Sequence, residues 1–267
     1  MTDAREAARR LIMLLRSEFS RTKNDRKRIV VSFSGGLDST LLARLAIDRA
    51  PILGIVVGME GSVDIRNARK SAESIGIELL EIKIDEGLVV EGAKEIIKAT
   101  GSTDPLTISF ELPVFFALQS TKEKTVVTGQ GADELFGGYA KYEGLSEKDF
   151  IRVRAEDVGR VLGPTSQMEE AMTCSLGKTV LRPFLSKEIV SFAMHLPASI
   201  VRPALERKVV IREALRELGM DDIASIDKKA AQYGSGTSAL LKNAAKRQGM
   251  TMGEFMDHLK EGVLRDA

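Results

Sequence analysis

The chain is poor in the residues that bring metals, disulfides or membranes into a fold. It has one cysteine, Cys174, no tryptophan and two histidines in 267 residues. A single thiol excludes an intrachain disulfide, a zinc knuckle and a paired-cysteine redox motif, which fits a reducing compartment. His195 and His258 form no HxxxH spacing or His/Cys cluster, so both read as packing or surface residues. The longest apolar stretches, residues 52–59 and 112–118, are too short to cross a bilayer. The opening MTDAREAARR lacks the apolar centre of a signal peptide, so the expected location is cytoplasmic with no membrane partner. An excess of either charge is also missing. Thirty-nine basic residues face thirty-eight acidic ones, which argues against nucleic acid as a partner while leaving a local patch open.

What the chain does have is the balance of an ordinary globular protein, 43% hydrophobic and 29% charged, at a length that supports a sizeable core. Apolar residues at helical spacing in the opening segment, followed by the polar run RTKNDRKR, predict a lead-in helix and loop over residues 1–27. A strand over residues 29–33 runs into SGGLDS and then into the helical pattern TLLARLAIDRA. The rhythm repeats with ILGIVVG, a helix stopped by Gly76, the strand IELLEIKI and the helix EGAKEIIKA. After the helix PVFFALQS comes the strand TVVTG. Strands alternating with helices predict an α/β fold, a doubly wound parallel sheet, over residues 28–145. From residue 146 to 267 the pattern is helical with little strand signal, predicting a helical C-terminal extension. Phe110, Phe115 and Phe116 read as core, and Cys174 as a small hydrophobe.

The segment SFSGGLDST at residues 32–40 carries the first chemical signal. Gly35 and Gly36 let the backbone turn tightly and approach an anion with no Cβ in the way. Amides at the start of the next helix then face that anion, aided by the helix dipole. Ser34 and Ser39 add hydroxyl donors. Asp38 puts a carboxylate beside phosphate, a placement that a divalent cation such as Mg²⁺ makes favourable. The spacing fits neither a Walker loop nor a GxGxxG fingerprint.

SGGLDS resembles the signature loop of the N-type ATP pyrophosphatases, which split ATP between the α and β phosphates. GQGADELFGGY at 129–139 narrows the likeness, because it closely resembles the GEGADELFGGY motif of the asparagine synthetase synthetase domain. VGMEGSVD at 57–64 and RPFLSKEIVSFAMHLP resemble further motifs of that family, and the related β-lactam synthetases share the layout. The resemblance implies an adenine nucleotide alpha hydrolase-like fold and an ATP-dependent, amide-forming ligase. A carboxylate would be activated as an acyl-adenylate with release of pyrophosphate, and a nitrogen nucleophile would then displace AMP. It implies ATP and Mg²⁺ as ligands, Asp38 and Asp133 on the metal, and backbone near Val57 and Gly129 on adenine and ribose. Two carboxylates at the ends of neighbouring strands are also able to bridge one Mg²⁺. Glu134 reads at least as well as a capping or structural residue. DKKAAQYGSGTS resembles a loop whose catalytic lysine precedes a GxG by six positions, which is Lys228 here. Lys208, in ERKVVIREA, matches a second family lysine expected near pyrophosphate.

Three departures bear on the substrate. Thr2 follows Met1 where glutamine-dependent members expose a cysteine, and a glutaminase domain is missing, so ammonia or an amine is expected free or from a separate glutaminase subunit. Gln130 replaces the motif's glutamate and is expected to orient substrate, since an amide does not serve as a general base near neutral pH. Ser186 replaces the aspartate of PFLD, and Leu181 falls where an arginine is expected. Two other readings stay open: a tRNA-modifying adenylating enzyme, and an ATP-binding subunit with impaired turnover. The motifs do not fix the carboxylate, the nitrogen donor or the oligomeric state, a homo-oligomer included.

Overall fold

The computed structural model describes residues 3–21, 28–202, 206–226 and 234–265. Five parallel strands form one sheet in the order β3-β2-β1-β4-β5. Its centre is β1 (Ile29–Ser32), paired with β2 (Ile52–Gly58) on one side and β4 (Thr125–Val127) on the other. β3 (Glu78–Lys83) and β5 (Thr179–Leu181) are the edges. Every residue of β2 is buried, the pattern of a strand covered on both faces.

Successive side chains of the central strands feed two separate cores. Val31, Phe33 and Val56 face a layer that includes α1 (Ala4–Arg21), α2 (Leu37–Ala46) and α3 (Val63–Ile75). Val30, Ile55 and Val57 face the opposite layer, built on α4 (Glu86–Thr100) and α5 (Pro105–Gln119). Helix starts are marked by side-chain caps. Ser62 Oγ accepts from Ile65 N at 3.4 Å, Asp85 from Leu88 N at 2.9 Å and Asp104 from Thr107 N at 2.8 Å. Gly76 ends α3 in the left-handed conformation, as the sequence pattern predicts.

After α6 (Ala132–Leu135) and α7 (Glu147–Arg160), a π-helical turn over Val161–Thr165 leads into α8 (Ser166–Ser175). β5 then joins the sheet beside β4, a strand absent from the sequence-based pattern because three residues carry no readable alternation. The remaining helices are α9 (Lys187–Met194), α10 (Ala198–Val201), α11 (Val209–Glu217), α12 (Asp221–Ala224), α13 (Thr237–Arg247) and α14 (Met252–Arg265). α1 lies against α11, burying Ala8, Leu11, Ile12 and Leu15, so the first helix and α11 share the α2 layer. α13 and α14 instead cover α4. No helix among the described residues is long and apolar enough to cross a membrane.

The strand order reverses at β1. The chain runs outward through β2 and β3, then returns to place β4 on the other side of β1. The loops leaving β1 and β4 therefore meet at a topological switch point, where open parallel sheets form their crevices.

Candidate functional site

The β1 loop is shaped by what surrounds it. Gly35 has φ +67°, and a Cβ there would fall onto the backbone of Asn67 and Ala68 in α3. Its carbonyl accepts from buried Ser71 Oγ at 2.9 Å, which fixes the turn from behind. Gly36 is the N-cap of α2 in extended conformation and supplies no side-chain cap, leaving the first-turn amides without a competitor. Ser34 Oγ and Ser39 Oγ lie 3.5 Å apart, and Ser39 Oγ donates to Gly36 O at 3.4 Å. Ser34, Asp38 and Ser39 line a cavity of about 770 Å³, whereas Gly35 and Gly36 shape the turn without lining it.

The β4 loop closes over the same cavity. Gly138 N donates to Asp133 O at 2.8 Å, folding the glycine-rich segment back on itself. A Cβ on Gly138 would collide with Asp133 Oδ1 and Lys208 Cε, so this approach needs glycine. Gly129, Gln130 and Asp133 line the cavity, together with Val57 at the end of β2. Glu134 is buried, and its carboxylate accepts from Tyr139 Oη at 2.6 Å. Burial, reinforced by the Asp133 charge, pushes Glu134 up to about 7. Beside them, Asp157 accepts from Tyr142 Oη at 2.6 Å and from Lys141 Nζ at 2.8 Å.

Lys208 joins the two loops. Its Nζ lies 2.6 Å from Asp38 Oδ2 and 2.7 Å from Asp133 Oδ1, although the three residues come from distant parts of the chain. Lys208 has φ +58°, the one non-glycine residue with positive φ among the described residues. A lysine held in the left-handed region carries local strain, which the surrounding contacts must offset. Burial opposes its charge, but Asp133 and Asp38 outweigh burial and hold the ammonium above the ordinary lysine range. The two carboxylates are thus close enough to share one cation. Both offer hard oxygen donors, which suit Mg²⁺ completed by phosphate oxygens. The described residues contain no group of three or more His, Cys, Asp or Glu arranged to hold a metal by themselves. Lys228 lies outside the described residues. Where the description resumes at residue 234, Ser235 O accepts from Met59 N at 2.9 Å, just beyond β2.

The cavity is lined further by Glu111 from α5, Glu169 from α8 and Thr128, which directly precedes Gly129 at the end of β4. All three are nearly inaccessible, at 3%, 2% and 4% exposure. Arg182 Nη1 lies 3.0 Å from Glu169 Oε2, while Nη2 reaches the exposed Glu170 at 3.3 Å. Leu181 stands where the family resemblance expects an arginine, and its neighbour Arg182 makes the ion pair to Glu169. Ser186 Oγ, the replacement in PFLD, is buried with no hydrogen-bond partner. Sequence reading missed Glu111 and Glu169. The available signal was one acid inside the otherwise apolar run ISFELPVFFAL, since a carboxylate survives on a buried helix face only for a reason. Two core readings also change: Phe110 lines the cavity, and Cys174 is exposed.

The family profile described as "Asparagine synthase" matches residues 13–172. Among curated relatives, "Putative asparagine synthetase (glutamine-hydrolyzing) 1" of Methanocaldococcus jannaschii is 29% identical, over 87% of this chain and 51% of its own length. A glutamine-hydrolyzing asparagine synthetase 3 of Arabidopsis thaliana is 27% identical, over 69% of this chain and 35% of its own. The chain thus spans between about a third and a half of these relatives. An NMN synthetase structure from Francisella tularensis aligns with 98% of this chain and 87% of its own, at 14% identity and a TM-score of 0.45.

Proposed function

The chain belongs to the asparagine synthase family, and from that premise we propose that it is an ATP-dependent, amide-forming ligase that activates a carboxylate as an acyl-adenylate. The observation that carries this reading is the convergence of Asp38 and Asp133 on one cationic group, Lys208 Nζ, at the mouth of the β1 loop. In an enzyme that cleaves ATP between the α and β phosphates, negative charge gathers on the leaving pyrophosphate. The Lys208 ammonium beside the backbone amides, together with a cation bound between the two carboxylates, would receive it.

In the proposed reaction, Ser34, Ser39 and the first-turn amides of α2 hold the phosphates. Asp38 and Asp133 would hold Mg²⁺, which supplies charge neutralisation across the phosphate oxygens when bound. A substrate carboxylate oxygen forms a bond to the α phosphorus as the bond to pyrophosphate breaks, and Lys208 stabilises the departing charge. The backbone near Val57 and Gly129 holds adenine and ribose. A nitrogen nucleophile then forms the C–N bond at the acyl carbon while the C–O bond to AMP breaks, and Gln130 orients the acyl group by hydrogen bonding. Lys228 is retained as a second proposed catalytic lysine on the loop similarity alone. Free ammonia, an amine or a separate glutaminase subunit would supply the nitrogen.

Exchange of labelled pyrophosphate into ATP, screened over aspartate and other carboxylates with MgCl₂, tests this reading. Carboxylate-dependent exchange is expected, and the absence of exchange with every carboxylate would overturn it.

A further inference from the structure

The place that suits a divalent cation is filled by a side chain of the protein itself. Lys208 Nζ lies 2.6 Å from Asp38 Oδ2 and 2.7 Å from Asp133 Oδ1, on the oxygens that a Mg²⁺ shared by the two loops would take. A divalent cation on those oxygens would sit directly against the ammonium, where like charges repel strongly. Ammonium and metal therefore exclude one another at this pair.

The lysine is held there tightly, yet only its side chain has to move to leave. Lys208 is buried, caps the start of α11 and keeps φ +58°. A non-glycine residue stays in that region only where surrounding contacts over-determine it, and the two ion pairs supply such contacts. Gly138 gives the stem its passage, since a Cβ there would collide with Lys208 Cε. The backbone is fixed separately: Lys208 O accepts from Arg212 N at 2.9 Å as α11 begins. Rotation about the flexible four-carbon stem can thus carry the ammonium off the carboxylates while the helix stays wound.

A destination lies in the same cavity. Ser34 and Ser39 line it together with Lys208. Phosphates held by those hydroxyls and by the first-turn amides of α2 would offer acceptor oxygens to a group with three donors and no acceptor. The exchange needs both ligands. Metal alone meets the ammonium, and phosphates alone draw the ammonium away from two carboxylates left facing each other. Arriving together, the metal takes the lysine's place on the carboxylates and the phosphates take the carboxylates' place on the lysine.

We propose that Lys208 is a resident counter-ion that keeps the divalent cation off Asp38 and Asp133 until phosphates are bound, and then transfers its ammonium to those phosphates. The proposal rests on the ligase reading only for the nature of the phosphate ligand.

Metal binding is read without turnover, from the loss of the free Mn²⁺ electron paramagnetic resonance signal. With MnCl₂ alone, Lys208→Met is expected to bind Mn²⁺ about tenfold or more tighter than the native chain, the scale of freeing two carboxylates from a neighbouring positive charge. Lys208→Gly, which accepts φ +58° without strain, makes the same measurement should Lys208→Met not fold. Adding Asp38→Asn to either variant should abolish the gain. On protein saturated with the α,β-methylene analogue of ATP, the difference between native chain and variant should disappear, because the native ammonium has then left the carboxylates. Simple removal of a positive charge near the pair would leave the difference in place. Equal Mn²⁺ affinities with MnCl₂ alone, a gain that survives Asp38→Asn, or a difference that persists in full with the analogue would overturn the proposal. Failure of pyrophosphate exchange with every carboxylate removes the ligase reading and leaves the Mn²⁺ measurements to decide this one.

Discussion

Two sides of the cavity hold the same charge, two carboxylates and one cation, and pair it differently. At the glycine loops the contacts are balanced, with Asp38 and Asp133 each within 2.7 Å of the Lys208 ammonium. At the α5 wall they are unbalanced: Arg182 reaches Glu169, Glu111 makes no ion pair among the described residues, and Glu111 Oε2 and Thr128 Oγ1 are buried without a hydrogen-bond partner. A balanced cluster costs little to keep and can exchange its lysine contacts for a metal and phosphates. An unbalanced one is held in place by the fold around it and gains when a ligand arrives.

The largest expected effect breaks the comparison at the balanced wall. Asp38→Asn removes one of the two charges facing Lys208 and is expected to lower pyrophosphate exchange by about 10²–10³-fold, the scale of losing one preorganised electrostatic group. Retained exchange would dissolve the metal assignment. A smaller effect is expected from Lys208→Met, which leaves Asp38 and Asp133 facing each other. Urea unfolding without metal should show a loss of about 1–3 kcal/mol, partly recovered with MgCl₂. An unchanged midpoint would mean that the lysine is not what balances the pair.

The smallest effect belongs to the unbalanced wall and appears as pH dependence. Burial pushes Glu169 up to about 7 against the opposing pull of Arg182, and Glu111 is raised as well. The folded protein therefore holds protons at Glu111 and Glu169 that the unfolded chain releases near the ordinary value of 4.5. The Glu169 contribution to stability is full below pH 4.5 and is lost as pH rises through about 7, and that of Glu111 has the same sign. Urea midpoints followed between pH 4.5 and 8 should decline on this account, and Glu169→Gln should flatten the decline. An identical slope in the variant would show that the carboxylates facing Arg182 do not titrate in that window.

Legibility in the sequence divides along the same line. SGGLDS between a strand and a helix marks the balanced wall, because tight turns and close backbone approach require glycine at fixed places. The central strands were equally plain from their β-branched runs. Lys208 was visible only through resemblance, since nothing local announces that a lysine takes φ +58° and turns back to a loop 170 residues earlier. β5 was hidden by its length, and Glu111 by its neighbours in an apolar helix. Its environment is assembled by α8, β4 and Arg182, none of which lies near it in sequence. The part of a site written in one loop can be read from that loop, whereas the parts brought in by tertiary convergence, Lys208 and Glu111 alike, leave only an isolated charge in the sequence.

The short segment at Ser235 and Thr237 ties the loop after β2 to α5. Its carbonyl at Ser235 accepts from Met59 N beyond β2, and Thr237 Oγ1 donates at 3.0 Å to Ser109 O, two residues before Glu111. That segment works as a ruler. It holds the end of β2 at a set span from the helix bearing Glu111, so the parts of the cavity lined by Val57 and by Glu111 keep one spacing.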